Sequence, residues 1–433
     1  MQFIINGGKK LEGEIKLAGA KNAATKMMVA SILTGEECVL QNFPDIGDTR
    51  ITQELCRSIG SEITQEGNVL RIKTPAVKNS KVSSFSRRNR IPILALGPLL
   101  ARAGEAEIPI LGGDKIGPRP VDIHIGALTA MGARIEVLPD RYAASAPAGL
   151  KGAKISLRYP SVGATENTIL AAVLAKGRTV IQNAAIEPEI TDLIKFLQKM
   201  GAIIELGANR VIYVDGVEKL GGAEHAILPD RNEAVSFACL AVATGGKIFA
   251  EDARQEDLIT FLNTLRKIGG EYRPEPSGIT FWRPVGAKLR PVKIETDTHP
   301  GFMTDWQQPT AVLLTQAEGT SSIHETVYED RFGYASDLNL MGADIKVETK
   351  CLGELACRFR GKDFHHSATI TGPRPLRAAD LHVRDLRSGI AHVIAALIAG
   401  GRSTITGVEE IDRGYEKIDE RLSRLGAEIE RKN

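Results

Sequence analysis

Hydrophobic and polar positions along the chain alternate between two periods from end to end. Apolar residues at helical spacing run into a glycine, and an apolar–polar alternation follows; the pattern occurs six times, with the glycine at Gly60, Gly132, Gly201, Gly269, Gly342 and Gly426. Helical spacing predicts an amphipathic helix, and a period of two predicts a half-buried strand. Glycine between them is typical of a left-handed helix C-cap. We therefore predict six helix–glycine–strand segments.

A second pattern precedes each of these segments: an Ala- and Leu-rich stretch, a glycine, then β-branched residues, as in ILAAVLAKGRTVIQN and VIAALIAGGRSTITG. Residues 168–176 and 391–399 are apolar on nearly all sides, which is typical of buried helices. Each unit thus reads strand–helix–strand–helix–strand over about 70 residues, and six units fill the chain.

Six such units can form a solenoid or two globular domains. Solenoid repeats are usually about 20–45 residues long, so units of this length favour two domains of three units each. We predict an α/β fold with helices inside and sheets outside, and a boundary in the Gly-rich stretch near 220–230. A cleft between two domains is a common ligand site.

Charge and composition exclude several classes of protein. The 433 residues are 43% hydrophobic, and 55 Lys and Arg against 53 Asp and Glu leave a net charge of +2. A general nucleic-acid or acidic-membrane binder usually has a clear basic excess. Residues 1–10 have no long apolar core of the kind that a signal peptide contains, and no run approaches the roughly 18 apolar residues of a membrane helix. We expect a soluble intracellular protein.

The cysteines and histidines give no metal or disulfide signature. Five cysteines are scattered without a CxxC spacing, which disfavours a disulfide framework or zinc ribbon and favours a reducing compartment. The eight histidines show no metal pattern, and we interpret His365–His366 as a surface pair. We therefore expect no metal.

Lys21 and Asn22 stand where a predicted strand turns into the first helix, in LAGAKNAA. Backbone N–H groups and the helix dipole favour an anion there, and lysine adds a full charge. An ordinary solvated lysine in a first helical turn is the alternative.

The segment 110–124, ILGGDKIGPRPVDIH, combines glycines with Asp114, Lys115 and Arg119. Glycine makes such a loop mobile, and its charged residues can close over a ligand. A plain surface Ω-loop is the alternative. Arg90 precedes the buried helix of the same unit.

The last two units carry charged residues at matching strand-to-helix turns. These are Asp305 and Arg331 in the fifth unit, and Asp385, Arg387 and Arg413 in the sixth. A single Asp at a helix start is commonly only a cap. Repetition of the placement favours convergence on one site. A GxSxG motif, a P-loop and a dinucleotide-binding GxGxxG are all absent from the sequence.

The sequence resembles the enolpyruvyl transferase family over essentially its whole length. The similar phrases are GAKNAA (19–24), ALGPLLAR (95–102), RPVDIH (119–124), SVGAT (161–165), EPEI (187–190), LPDR (228–231), ETVYEDRF (325–332) and IDRGYEKI (411–418). The EPSP synthase branch normally has Gly-Ser-Lys-Ser where this chain has Gly19-Ala20-Lys21-Asn22. The resemblance therefore favours the branch that acts on UDP-N-acetylglucosamine.

The resemblance implies a two-domain inside-out α/β barrel in which each domain contains three βαβαββ units. It places residues 21–229, with the mobile loop 110–124, in one domain and residues 1–20 and 230–433 in the other. The active site would lie in the cleft between them. It also implies a cytoplasmic enzyme of peptidoglycan synthesis, at its first committed step, which supports cell-wall biogenesis, cell shape and cell division.

The implied reaction transfers the enolpyruvyl group of phosphoenolpyruvate to the 3-hydroxyl of UDP-N-acetylglucosamine, through a tetrahedral intermediate, with release of phosphate. By motif match, the catalytic residues would be Lys21, Asp114, Asp305, Asp385 and Arg413. Phosphoenolpyruvate would be bound by Lys21, Asn22, Arg119, Arg331, Arg387 and Arg413. The UDP-sugar would be bound by Asn22, Arg90, Pro120, Asp122, Ile123, His124, Ser161, Val162, Gly163, Asp305 and Val327. No metal, organic cofactor, nucleic acid or membrane partner is implied.

Two departures from the family pattern matter. Most members have Cys where this chain has Asp114, and because fosfomycin alkylates a thiolate we predict resistance. Tyr159-Pro160 stands where the family often has a basic residue followed by Val. A transferase that acts on another hydroxyl acceptor is therefore an alternative hypothesis. The third hypothesis is a paralogue that binds a UDP-sugar without catalysis. It is disfavoured because the chain retains Lys21, Asp114, Asp305 and the matched arginines.

Overall fold

The computed structural model describes every residue except 83, 84, 87, 88, 111, 113–116, 118, 119, 356 and 433. The predicted site residues Asp114 and Arg119 therefore lie outside the described residues. The described chain forms two compact units. One comprises residues 19–113 and 120–228, and the other contains residues 1–18 and 229–433.

The regular elements follow the order that the repeats predict, except that each of the first five units has one further strand after its last predicted strand, as the family resemblance implied and the periodicity did not. The strands are β1 (Gln2–Gly7), β2 (Glu12–Lys16), β3 (Glu37–Gln41), β4 (Glu62–Glu66), β5 (Val69–Lys73), β6 (Glu105–Pro109), β7 (Arg134–Val137), β8 (Arg141–Ser145), β9 (Lys154–Ser156), β10 (Arg178–Gln182), β11 (Ile203–Gly207), β12 (Val211–Asp215), β13 (Glu224–Ala226), β14 (Lys247–Glu251), β15 (Glu271–Glu275), β16 (Gly278–Trp282), β17 (Lys293–Glu295), β18 (Gly319–His324), β19 (Ile345–Glu348), β20 (Ser367–Gly372), β21 (Asp380–His382), β22 (Gly401–Thr406) and β23 (Glu428–Lys432). The α-helices are α1 (Lys21–Ala30), α2 (Gly47–Ile59), α3 (Leu96–Ala103), α4 (Asp122–Ala130), α5 (Val162–Ala172), α6 (Pro188–Lys199), α7 (Arg231–Thr244), α8 (Ile259–Ile268), α9 (Gln307–Leu314), α10 (Ala335–Leu340), α11 (Leu386–Ile398) and α12 (Ile418–Arg424).

The six glycines of the repeat all lie just beyond a helix and have positive φ, from 91° at Gly426 to 123° at Gly60. An L side chain is strained in this conformation, which explains why the pattern ends in glycine. A strand begins two or three residues after each glycine. The six predicted helix–glycine–strand segments are therefore confirmed.

The helices that precede these segments form the interior of each unit. In the unit that contains the C-terminus, α7, α9 and α11 contact one another and are buried on almost every side. In the other unit, α3 and α5 pack together in the same way. The helix predicted at 168–176 in fact begins at Val162, because the Ser161 hydroxyl caps it by accepting from the N–H of Ala164 at 3.4 Å.

Sheets cover these helices: among the described residues, five have four strands of mixed direction, and the sheet β6–β8–β7 has three antiparallel strands. The sheet β17–β18–β20–β19 is representative: β17 is parallel to β18, and β20 is antiparallel to both β18 and β19. Its second strand ends at His324, which is paired with Ser367 of β20. The prediction of helices inside and sheets outside is confirmed for each unit. Among the described residues, no helix is both long and apolar enough to cross a lipid bilayer.

Candidate active site

The Asp305 carboxylate joins two buried arginines in the unit that contains the C-terminus. Asp305 lies in a 3₁₀ turn, Thr304–Trp306, directly before α9. Its Oδ1 atom accepts a hydrogen bond from Arg331, and its Oδ2 atom lies 3.0 Å from Nη2 of Arg387. The guanidinium side chains are only 4% and 5% exposed. Three predicted site residues that are far apart in sequence therefore form one charged cluster.

Asp305 and the groups beside it together offset the burial of both guanidinium groups. Burial, the largest single influence, lowers the pKa of Arg331 and of Arg387, but Asp305 and the smaller contributions of its neighbours together raise it by more, so both pKa values lie above the usual value of arginine. Both arginines therefore stay charged, which suits them to hold a carboxylate or a phosphate.

Glu325 fixes the two segments that carry this cluster. Its fully buried carboxylate accepts from Thr304 Oγ1 at 2.8 Å and from the Gln307 amide, on either side of Asp305. It also accepts from the backbone N–H groups of Val327 and Tyr328, at 2.8 and 3.0 Å. A buried carboxylate with four donors ties its neighbours tightly. Sequence reasoning missed this role, although Glu325 lies in the ETVYEDRF phrase.

Asp385 and Arg413, the other predicted catalytic residues of this unit, have different hydrogen-bond partners. Asp385 caps α11: it accepts from the N–H groups of Arg387 and Ser388 at 3.0 and 3.1 Å, and from the Ser388 hydroxyl. Its part in proton transfer stays a prediction. Arg413 is buried and donates to Glu410 Oε2 at 3.0 Å.

Arg387 also connects the cluster to α7. Its Nη1 atom donates to the Tyr415 hydroxyl at 3.3 Å, which is 2.9 Å from the Ser236 hydroxyl. Arg231, at the start of α7, lies over the Trp306 ring at 5.5 Å. Arg231 belongs to the LPDR phrase, but only folding shows that it adjoins the turn of Asp305.

In the other unit, Lys21 begins α1 as predicted. Its Nζ atom lies 2.8 Å from Oδ2 of Asp48, in the first turn of α2. The side chains are 16% and 6% exposed, so the ammonium group is held in place rather than freely solvated. Asn22 follows in the same first turn and is half-buried. Asp48 was not predicted, since an acidic residue at a helix start usually indicates only a cap.

The starts of α4 and α5 come together through His124 and Gly163. A Cβ atom on Gly163 would lie 2.9 Å from Nε2 of His124, so a larger residue there would force the buried His124 ring to move. Burial first, and then the charge of Arg90, lower the pKa of His124 to about 4 against the opposing effect of Asp122. Its imidazole is therefore neutral at pH 7.

The remaining predicted UDP-sugar residues are placed around these helix starts or in the other unit. Asp122 forms an ion pair with Arg158 and is 46% exposed. Pro120 is exposed, whereas Ile123, Ser161, Val162 and Val327 are half-buried. The structure therefore brings the 120–124 and 161–163 phrases together within one unit.

One sequence interpretation is wrong. His365 is exposed, but His366 is fully buried, so the two are not a surface pair. Folding also brings His324 and His366 together with Cys351 and Cys357. The linear spacing hid this group, since its members lie on a strand end and on a long connection.

Comparisons with known proteins agree with this architecture. The family model described as EPSP synthase (3-phosphoshikimate 1-carboxyvinyltransferase) matches residues 5–422. The chain is 49% identical to the UDP-N-acetylglucosamine 1-carboxyvinyltransferase of Protochlamydia amoebophila, over 98% of this chain and 93% of the relative. It is 51% identical to the enzyme of the same name from Chlamydia pneumoniae, again over 98% and 93%.

Solved structures share the fold at lower identity. The enolpyruvyl transferase NikO from Streptomyces tendae superposes with a TM-score of 0.86 at 23% identity, over 99% of this chain and 98% of that chain. EPSP synthase from Acinetobacter baumannii gives a TM-score of 0.73 at 19% identity, over 99% and 100%. The predicted fold class is thereby confirmed. The chain belongs to the EPSP synthase family of enolpyruvyl transferases.

Proposed function

We propose that this protein transfers the enolpyruvyl group of phosphoenolpyruvate to the 3-hydroxyl of UDP-N-acetylglucosamine and releases phosphate. The observation that carries the proposal is 49–51% identity, over 98% of the chain, to relatives named for this reaction. The contacts of Asp305, Lys21 and His124 support it, because each fits a step that the reaction requires.

The reaction needs one base and one acid. In the addition step, the sugar hydroxyl oxygen bonds to C2 of phosphoenolpyruvate, loses its proton, and C3 gains a proton. In the elimination step, C3 returns a proton as the C2–O bond to phosphate breaks, which restores the double bond. We assign the base role to Asp305, which two guanidinium groups hold as a carboxylate. The acid role goes to Asp114, with Asp385 assisting proton transfer.

The anionic substrate needs several cationic groups. We assign its phosphate and carboxylate to five cationic residues, assisted by Asn22: Lys21, Arg119, Arg331, Arg387 and Arg413. A guanidinium group has five N–H donors, so Arg387 can hold Asp305 with one and an oxyanion with others. Charge stabilisation of this kind is usually the largest catalytic contribution.

The UDP-sugar is assigned to the paired starts of α4 and α5. Free N–H groups and the dipole at a helix N-terminus suit a diphosphate. The α4 phrase supplies Pro120, Asp122, Ile123 and His124, and the α5 phrase supplies Ser161, Val162 and Gly163. Arg90, Asn22, Asp305 and Val327 complete the assignment.

The biological setting follows from the proposed reaction. We place the enzyme in the cytoplasm, at the first committed step of peptidoglycan synthesis. The predicted domains, 21–229 and 1–20 with 230–433, are proposed to supply residues to the same reaction. Loss of activity after substitution of Lys21 in one unit, and separately of Asp305 in the other, would support that proposal.

Phosphate release from phosphoenolpyruvate, measured with and without UDP-N-acetylglucosamine, tests the function. We expect release that depends on this acceptor. Release with a different hydroxyl acceptor only would favour the alternative transferase. UDP-sugar binding by calorimetry without any phosphate release would identify a silent paralogue and overturn the proposal.

A further inference from the structure

The connection between β19 and β20 is unusually long. It spans residues 349–366, whereas the corresponding connections β4–β5, β7–β8, β11–β12 and β15–β16 contain two or three residues. Connections beyond about 12–15 residues without secondary structure are uncommon and usually functional. Its length therefore points to a function of its own for this connection.

Four metal-binding side chains meet at the base of this connection. Cys351, Cys357 and His366 lie on it, and His324 ends the neighbouring strand β18. One donor atom from each of the four lies within 4.8 Å of all the others. His324 and His366 are 1% and 0% exposed. Two sulfurs and two imidazole nitrogens form a typical tetrahedral zinc set.

Both imidazole rings are oriented for metal binding. The Nδ1 atom of His366 lies 2.7 Å from the Phe364 carbonyl, and its Nε2 atom lies 3.3 Å from Cys351 Sγ. The Nδ1 atom of His324 lies 3.3 Å from Glu295 Oε2. Among the described residues, Nε2 of His324 is buried without a hydrogen-bond partner. In both rings the proton belongs on Nδ1, which leaves the Nε2 lone pair for a metal.

Glu295 ties the cysteine-bearing segment to His324. Besides facing His324, its carboxylate accepts from the N–H groups of Glu354 and Leu355, both at 2.8 Å. A Cβ atom on Gly353 would lie 2.1 Å from Glu295 Oε2 and 2.2 Å from His324 Nδ1, so glycine is required there. Carboxylates that orient metal-bound histidines are a regular feature of metal sites.

The opposite side of the group is also organised, and it is accessible. Cys357 Sγ accepts from the N–H of Phe359 at 3.4 Å, and the buried Phe359 ring packs edge-on to His366 at 5.6 Å. Cys351 also lines an open surface depression of about 610 Å³, so this side of the group faces solvent.

We propose that His324, Cys351, Cys357 and His366 bind one Zn²⁺ ion in a closed structural site. Four protein donors leave no position for substrate or a reactive water, so the ion would stabilise the fold rather than take part in catalysis. Mixed thiolate and imidazole donors select zinc over magnesium and calcium, which prefer oxygen ligands.

The site also bears on the candidate active site of its own unit. Arg358, one residue beyond Cys357, donates to the Val327 carbonyl and lies 3.5 Å from Glu329. The ion would hold the 349–366 connection, and with it Arg358, against the segment that contains Val327 and Arg331. Loss of the ion is therefore expected to loosen that segment.

Metal content of the full-length protein, purified under reducing conditions and exposed to Zn²⁺ before exhaustive dialysis, tests the site. We expect one equivalent of zinc in the wild type and in the matched control His365→Gln. His366→Gln and the double variant Cys351→Ser, Cys357→Ser should lose it. Glu295→Gln should weaken zinc affinity about 10–100-fold.

Co²⁺ titration of the metal-free wild type provides a test that does not depend on the folding of a variant. Thiolate-to-cobalt charge-transfer bands and intense visible bands of tetrahedral Co²⁺ are expected, and Zn²⁺ should abolish them. Failure of the reduced wild type to bind either ion, or equal zinc in the double-cysteine variant, would overturn the proposal. Because metal content is measured without substrates, this result is independent of the proposed transferase activity.

Discussion

The Nη2 atom of Arg387 lies 3.0 Å from the Oδ2 atom of Asp305, although 81 residues lie between them in the sequence. Arg331 occupies the other carboxylate oxygen. The buried cluster therefore has two positive charges on one negative charge at its centre. This arrangement makes Asp305 both the proposed base and the counter-ion that keeps two anion-binding groups in place.

Asp305→Asn should lower the rate of phosphate release about 10²–10⁴-fold, since an amide cannot accept the hydroxyl proton. It should also lower the melting temperature, because two buried guanidinium groups lose their counter-ion. Steady-state kinetics with both substrates and thermal unfolding measure the two effects.

Asp344→Asn is the matched control for this substitution. Asp344 pairs with Arg374 at 3.0 Å on the surface of the same unit, where ion pairs contribute little. We expect near-normal kinetics and stability. Retention of full activity by Asp305→Asn would contradict the assignment of the base.

Gly163→Ala should weaken binding of the UDP-sugar, because the added methyl group would lie 2.9 Å from Nε2 of His124 and push apart the starts of α4 and α5. We expect a KM for the sugar nucleotide raised about tenfold, the loss of roughly 1.4 kcal/mol of binding. Gly126→Ala, in α4, has nothing within 4 Å of its new Cβ atom and should leave KM unchanged. An equal KM for the two variants would count against the site.

Lys26→Met should destabilise the protein more at pH 8 than at pH 6. Lys26 Nζ lies 4.0 Å from Glu166 Oε1, and both residues are buried. Burial raises the pKa of Glu166 to about 7 and lowers the pKa of Lys26. Because the charge of Lys26 lowers the pKa of Glu166, its removal raises that pKa further; at pH 8 the variant must therefore bind a proton at Glu166 or bury an uncompensated charge, and either costs up to about 3 kcal/mol.

The loss of stability is larger at the higher pH because burial raises the pKa of Glu166. A carboxyl whose pKa is raised on folding is most favourable below pH 4.5, and its contribution to stability is lost as pH rises through about 7. At pH 6 the variant can keep Glu166 protonated, so its loss of stability is smaller. Urea unfolding at the two pH values measures this, with exposed Lys154→Met as the control. A pH-independent loss would refute the argument.

Asp114→Cys should make the enzyme sensitive to fosfomycin. A carboxylate lacks the nucleophilic thiolate that the epoxide alkylates, so the wild type should keep its activity in the drug. The variant should be inactivated with time and gain a covalent adduct at residue 114 by mass spectrometry. Inactivation and labelling of the wild type would refute the predicted resistance.

The repeats could be predicted from local sequence patterns because the backbone conformation at each repeat restricts which residue can stand there. Gly60, Gly132 and their four counterparts are needed for a positive φ, whatever the rest of the chain does. Burial of α5 and α11 is equally local, since their apolar residues surround the whole helix. The start of α5 was missed by six residues, because Ser161 caps it and the polar TEN segment inside it obscured the apolar pattern.

Contacts between side chains from distant segments could not be predicted from local sequence patterns. His324 and His366 are separated by 41 intervening residues, and only the antiparallel pairing of β18 with β20 brings them together. The surface interpretation of His366 failed for that reason. Glu325 was likewise missed, because its four donors come from both sides of the sequence position that it occupies.

The sequence alone thus determined the repeat, the helix-inside arrangement and, through family resemblance, which residue types serve the reaction. Helix caps and burial periodicity depend on residues only a few positions apart, so they can be predicted from the sequence alone. Tertiary structure decided that Asp305 joins Arg331 and Arg387, that Lys21 faces Asp48, and that two cysteines meet two histidines. Those contacts depend on distances of a few ångströms between segments far apart in the chain, and such distances are set only when strands pair and helices pack.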